Sequence, residues 1–167
     1  VSAAVSGAVT AYIGLGANLG DSAAAVAQAI AAIAVLDGVL LTRTSALYAS
    51  TPVDAAGDNY VNAVVQVQTH LGARQLLRSL QTIEQGAGRL RPYRNAPRTL
   101  DLDLLLFGAE SMDTPELQLP HPRMWSRAFV LEPLAEIAPD LVTDEQRHAV
   151  SAQGVWKLPV APAGAHP

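Results

Sequence analysis

The chain contains no cysteine, which excludes a disulfide framework, thiolate catalysis and cysteine-type zinc sites, and fits a reducing compartment. Its only lysine, Lys157, lacks the Gly-Lys-Ser/Thr context of a P-loop, so ATP, if bound, is bound by another device. A basic excess is also missing: 11 Lys and Arg stand against 15 Asp and Glu, a net charge of −4, which argues against a general binder of nucleic acid or anionic membranes. Long apolar runs are absent. Even the alanine-rich stretch 23–36 is interrupted by Gln28 and closed by Asp37 and Gly38, short of the roughly 20 residues that cross a bilayer. Residues 1–9 carry no Lys or Arg to form the charged front of a signal peptide and read as a frayed end. A soluble, cytoplasmic protein is the expectation.

What is present suits a packed domain. The chain has 167 residues, half of them hydrophobic, enough for one core and one domain spanning 1–167. Residues 9–16 are short, partly β-branched and stopped by glycine, which predicts a buried strand running into a turn, with the run from Gly14 to Gly20 read as a plain tight turn. Asp21 and Ser22 are good N-cap types, and Val26, Ile30 and Ile33 recur at helical spacing on an alanine background until Gly38. Two strands with period-2 patterning follow, at 39–50 and 60–70, separated by a loop with Pro52 and Gly57. A second helix is predicted from 73 to 85, with Leu76, Leu77, Leu80 and Ile83 inward and Gly86 and Gly88 as breakers. A fourth strand covers 99–107. The order strand, helix, strand, strand, helix, strand predicts an α+β fold of ferredoxin-like βαββαβ topology, an antiparallel sheet with helices packed on it. Beyond Gly108 the prolines leave room for one short helix at 126–137, and residues 143–167 read as a loosely attached tail.

Gly14-Leu-Gly16-Ala-Asn-Leu-Gly20 follows a strand and precedes a helix, but the third glycine of a dinucleotide fingerprint would stand at position 19, which is Leu. The more informative run is Asp101-Leu-Asp103-Leu-Leu-Leu-Phe107. Carboxylates at i and i+2 of a strand share a face, with Leu100, Leu102 and Leu104 directed to the core. Adjacent carboxylates repel, so they imply a shared cation, Mg²⁺ first, or a raised pKa; the competing reading is a polar face paired to arginines. Arg89, Arg91, Arg94 and Arg98 immediately precede this strand in a segment broken by Pro92 and Pro97. Arginines beside a metal-binding carboxylate pair are what phosphoryl transfer requires, because both neutralise charge developing on oxygen. His121 could donate to a phosphate, with Arg123 and Arg127 nearby, although a histidine in a proline-rich loop is more often structural. Tyr60 and Phe129 could stack on a flat heterocycle, and Asn62, two residues from Tyr60 on the same strand, could bond its edge.

These residues resemble a known family, the 6-hydroxymethyl-7,8-dihydropterin pyrophosphokinases, also called 2-amino-4-hydroxy-6-hydroxymethyldihydropteridine diphosphokinases. The resemblance covers about residues 11–141: Tyr-Ile-Gly-Leu-Gly-Ala-Asn-Leu-Gly at 12–20, Thr51-Pro52, Tyr60-Val-Asn62-Ala, Glu84 followed by Gly88-Arg89, Pro97-Arg98-Thr-Leu-Asp101-Leu-Asp103 into Phe107-Gly108, and Leu119-Pro-His121 followed by Arg127-Ala-Phe129. It implies transfer of pyrophosphate from ATP to the pterin hydroxymethyl group in folate biosynthesis, with AMP released. It further implies that Asp101 and Asp103 hold two Mg²⁺ ions, that Gln81, Glu84, His121 and Arg127 contact ATP, and that Arg89 and Arg98 lie on mobile catalytic loops. Tyr60 and Phe129 would sandwich the pterin, while Asn62 and the backbone around Thr51 and Val53 would read its polar edge. Two departures stand out: Asn95-Ala96 replaces the Trp-Gly that many members carry before the Pro-Arg, and Val53 replaces a second proline. The implied partners are the two small substrates, with no nucleic acid and no membrane, acting on a monomer. A binding module of the same topology and a kinase that moves only the γ-phosphate remain the alternatives at this level.

Overall fold

The computed structural model of the chain describes residues 7–18, 21–52, 59–88 and 100–159. Its first part runs β1 (Val9–Ala17), α1 (Ser22–Ala34), β2 (Val39–Thr44), β3 (Tyr48–Ser50), β4 (Tyr60–Thr69), α2 (Ala73–Gly88) and β5 (Asp101–Phe107). A small hairpin, β6 (Met112–Asp113) and β7 (Gln118–Leu119), leads through a 3₁₀ turn at Met124–Ser126 to α3 (Ala128–Ile137), α4 (Asp144–Ala149) and β8 (Val155–Lys157). The main sheet is antiparallel in the order β5-β1-β4-β3-β8, with β2 also paired to β4. Taking β2 and β3 as one interrupted strand, this is the ferredoxin-like arrangement expected from the element order.

Alternation along β1, β4 and β5 divides the core into two layers. Ile13, Leu15, Val65, Val67, Leu102 and Leu104 meet Val26 and Ile33 of α1 and Leu76 and Leu80 of α2. On the opposite face Val64 and Leu105 meet Val130, Leu131 and Leu134 of α3. The pairing of β1 with β5 shifts between Tyr12 and Ile13. Leu105 and Leu106 therefore both pack in the α3 layer, and Phe107 returns to the α1/α2 layer. Helix α1 starts as its sequence suggests, with the Asp21 carboxylate accepting from Ala24 N at 3.1 Å.

Four expectations need correction. The strand at 39–50 is broken, because Ser45 exchanges bonds with Val64 through both its backbone N–H and its hydroxyl, and Ala46 N turns to Glu136. One residue more is thereby accommodated opposite β4 before pairing resumes at Tyr48 and Asn62. Gly14 and Gly16 form no turn; both are paired within β1. Helix α2 does not stop at 85 but continues through Gly86 to Gly88. Two glycines cost roughly 1 kcal/mol each relative to alanine, but buried Leu76 and Leu80 hold the helix to the sheet. Glu84 ties its last turns to β5, accepting from Leu102 N at 2.7 Å. Finally, residues 143–159 are not loosely attached. Thr143 and Gln146 form a reciprocal capping box on α4, Arg147 makes a two-pronged bond to Glu132, and β8 extends the main sheet from β3.

Candidate active site

The central strands supply a floor with two missing side chains. Gly14 lies opposite Val64 and Asp103, and Gly16 lies opposite Asn62 and Asp101. Because position 16 has no Cβ, the α3-side face of the sheet is open there; an added Cβ would sit 3.3 Å from Asn62 Oδ1. The space above the glycines is a cavity of about 400 Å³, within the usual range for a small-molecule site. Its lining includes Ser50, Thr51, Tyr60 and Asn62 from β3, β4 and the chain after β3, Asp101 and Asp103 from β5, and Arg127 and Phe129 from the start of α3.

Asp101 and Asp103 sit half-buried on one face of β5, with Leu102 and Leu104 buried on the other, as the i, i+2 pattern predicts. The Glu84 carboxylate holds the backbone between them at Leu102 N. No cluster of three or more His, Asp or Glu is found among the described residues, so among them a cation here has the two carboxylates of β5 and positions left for other ligands. That fits Mg²⁺, a hard ion that is commonly held by one or two carboxylates and completes its shell with water and phosphate oxygens.

At the other end, Asn62 is only 3% exposed, and its Nδ2 donates to Ser50 Oγ at 2.7 Å. The carboxamide is thus oriented before any ligand arrives. Tyr60 lies one strand pleat away and Phe129 enters from the first turn of α3. The Arg127 guanidinium carbon stands 5.4 Å from the centroid of the Phe129 ring, a cation–π contact at the cavity wall. His121 follows β7 and donates its backbone N–H to Leu105 O. Its Nδ1 accepts from Arg123 N at 3.2 Å, so the neutral ring carries its proton on Nε2. Burial holds this imidazole below its ordinary range; Asp103 pulls the other way, and Arg127 and Arg123 reinforce burial.

Of the residues expected at the site, Thr51, Tyr60, Asn62, Asp101, Asp103, Arg127 and Phe129 line this one cavity. Gln81, exposed on α2, and Glu84 and His121 do not line it, although His121 senses the charge of Asp103. Val53, Arg89 and Arg98, and with them Arg91, Arg94 and Asn95-Ala96, lie outside the described residues. The residues missed were Gly14 and Gly16, whose pattern reads equally as a turn, and Ser50, whose only sequence signal is a hydroxyl at a strand end before Thr-Pro. Among the described residues no helix is long and apolar enough to cross a membrane.

Residues 12–139 match the family model described as 7,8-dihydro-6-hydroxymethylpterin-pyrophosphokinase (HPPK). A 2-amino-4-hydroxy-6-hydroxymethyldihydropteridine pyrophosphokinase of Pseudomonas aeruginosa is 42% identical over 157 residues, covering 90% of this chain and 97% of that protein. The Bacillus subtilis protein of the same name is 40% identical over 150 residues, covering 88% and 90%. Among solved structures, Plasmodium falciparum HPPK-DHPS aligns with a TM-score of 0.66 at 12% identity, over 86% of this chain. That likeness concerns the fold alone, and this chain spans only 43% of the Plasmodium chain. With the motif run, the sheet order and near-complete alignment to relatives at about 40% identity all in agreement, the chain belongs to the 7,8-dihydro-6-hydroxymethylpterin-pyrophosphokinase family.

Proposed function

We propose that the cavity between β4, β5 and α3 is where this chain transfers pyrophosphate. The reaction is that of the family: the hydroxymethyl oxygen of 6-hydroxymethyl-7,8-dihydropterin attacks the β-phosphorus of ATP, AMP leaves, and the pterin diphosphate enters folate biosynthesis. ATP is the co-substrate. One observation carries the placement: a carboxylate pair, a pre-oriented carboxamide and an arginine-flanked aromatic ring line the same cavity of about 400 Å³.

The two ends divide the work. Tyr60 and Phe129 offer flat apolar faces to the pterin ring, and Asn62, held by Ser50, bonds its polar edge beside the Thr51 backbone. Asp101 and Asp103 would hold two Mg²⁺ ions, whose positive charge would draw in the phosphate oxygens and lower the pKa of the attacking hydroxyl. Arg127 and His121 supply cationic and N–H donors toward the nucleotide, and Gln81 would contact ATP by the family resemblance. Glu84, assigned to ATP by the same resemblance, here holds the backbone between the two aspartates, which supports a positioning share in the site. Arg89 and Arg98 bracket the segment that feeds directly into β5, so closing it over the cavity would bring guanidinium charge to the transferred group and exclude water. The catalytic unit in this reading is a monomer. A cysteine-free ATP-consuming enzyme suits the cytoplasm.

The test is incubation with ATP, Mg²⁺ and the pterin, with and without chelator, followed by chromatographic separation of AMP from ADP. AMP that depends on both pterin and metal supports the reading. ADP would indicate γ-phosphoryl transfer, and no turnover by folded protein would favour a binding module.

A further inference from the structure

Helix α3 begins at the cavity in an unusual way. Its N-cap position is Arg127, in extended conformation and without a side-chain capping bond. A guanidinium has donors only and cannot accept from the exposed N–H groups of a first helical turn, a duty that usually falls to Ser, Thr, Asp or Asn. The missing acceptor comes from 25 residues downstream: Gln153 Oε1 accepts from Ala128 N at 2.9 Å. The same carboxamide donates through Nε2 to Ser126 O at 3.0 Å, so it grips the chain on both sides of Arg127. Because Gln153 does the capping, position 127 can carry an arginine that lies against Phe129 instead of an acceptor bound to its own helix.

The next residue reaches the opposite wall. Gly154 O accepts from Thr51 N at 3.0 Å, immediately before β8 pairs Val155 with Ser50. The approach is close enough that a Cβ on Gly154 would lie 2.9 Å from Thr51 Oγ1. This dipeptide is itself fixed from behind, through Gln153 N to Val150 O, with Val150 buried in the α3 layer.

We propose that Gln153 and Gly154 form a clasp that sets the spacing between the two walls of the pterin end, Thr51 on one side and Arg127–Phe129 on the other. Both are positioning residues, acting on substrate through the residues they hold. The inference rests on the reading that this end of the cavity receives the pterin. A flat ring bound between two walls is sensitive to their separation, whereas ATP meets the clasped walls only through Arg127 and is less so.

Steady-state kinetics and pterin titration of the full chain test it, on wild type, Gln153→Ala, Gln153→Glu, Gly154→Ala and the wall variant Phe129→Ala. Gln153→Ala should raise the pterin KM by about tenfold, as expected when oriented contacts are lost, with a clearly smaller rise in the ATP KM, because Gln153 also holds the backbone on both sides of Arg127. Gln153→Glu keeps the acceptor for Ala128 N but loses the donor to Ser126 O, and should recover only part of the loss. Gly154→Ala presses on Thr51, on the wall away from Arg127, and should raise the pterin KM alone, which keeps the test informative should Gln153→Ala fold poorly. A clasp that served folding alone would lower the thermal midpoint and leave the pterin KM of the folded protein unchanged in both Gln153→Ala and Gly154→Ala, or would raise both substrates' KM equally. Either result would overturn the inference while Phe129→Ala still weakened pterin binding. Wild-type protein that bound no pterin, or Phe129→Ala that bound it normally, would overturn the site reading and the inference with it.

Discussion

Replacing Gly16 with alanine separates binding from folding. Gly16 has extended backbone and is paired on both sides, so a methyl group is compatible with its strand conformation. Its Cβ would stand 3.3 Å from Asn62 Oδ1, tighter than an ordinary contact, which begins near 3.4 Å. Asn62 cannot retreat freely, being 3% exposed and bonded to Ser50 at 2.7 Å. The carboxamide must shift by a few tenths of an ångström, away from the geometry that meets the pterin edge. A buried polar group left imperfectly paired costs about 1–3 kcal/mol, or about 5- to 150-fold in affinity at 1.4 kcal/mol per decade. Loss of glycine's freedom in the unfolded chain contributes about 0.4–1 kcal/mol in the opposite direction to folding stability. The expected outcome is a pterin dissociation constant raised by one to two decades, with the urea midpoint essentially unchanged. Calorimetric titration with pterin, and separately with a non-hydrolysable ATP analogue, reads both terms. Unchanged pterin affinity in a folded Gly16→Ala protein, or an equal loss for both ligands, would refute the assignment of this floor to the pterin.

Other substitutions probe the remaining parts. Asp103→Ala should abolish AMP formation by removing one of the two carboxylates on β5, and near-normal turnover would discard the metal assignment. Arg98→Ala should lower kcat by about 10²–10⁴, on the order of 3–5 kcal/mol of transition-state stabilisation, with the denaturant midpoint unmoved; a loss confined to KM would place Arg98 in ground-state binding instead. Leu104→Ala, at a side chain 2% exposed, should cost about 2–5 kcal/mol of stability by opening a cavity in the α1/α2 layer. Thr143→Ala removes half of the α4 capping box and should cost about 1 kcal/mol, measured by chemical denaturation. No loss would return residues 143–149 to the loosely attached tail that their composition suggests.

Periodicity carried the core well because burial imposes it directly. Leu76 and Leu80, Val26 and Ile33, and the alternation at 101–105 each follow from a helix or strand having to hide one face. Local glycine chemistry misled in both directions. Gly86 and Gly88 are weak helix formers, yet the packing of α2 against the sheet and the tie from Glu84 to Leu102 N carry the helix past the first of them to the second. Gly14 and Gly16 look like turn residues, but their value is an absent side chain beneath a cavity, which a linear pattern cannot express. The tail was misjudged for a related reason: short elements such as α4 and β8 have little periodicity of their own and are stabilised by distant partners, Glu132 and β3.

The sequence by itself determined the order of elements from β1 to β5, with β2 and β3 as one strand, their inward faces and the neighbouring of Asp101 and Asp103, since each follows from the fixed geometry of a helix or strand. Through its motif run it also determined the family. Only the tertiary structure decided which of these residues share a cavity, because that depends on strand register, on a bulge at Leu105 and on contacts across large sequence separations. It brought Asn62 under Ser50 and set Gly16 between Asn62 and Asp101. It also delivered Gln153 to the start of α3, where an arginine occupies the place of a cap and cannot accept a hydrogen bond.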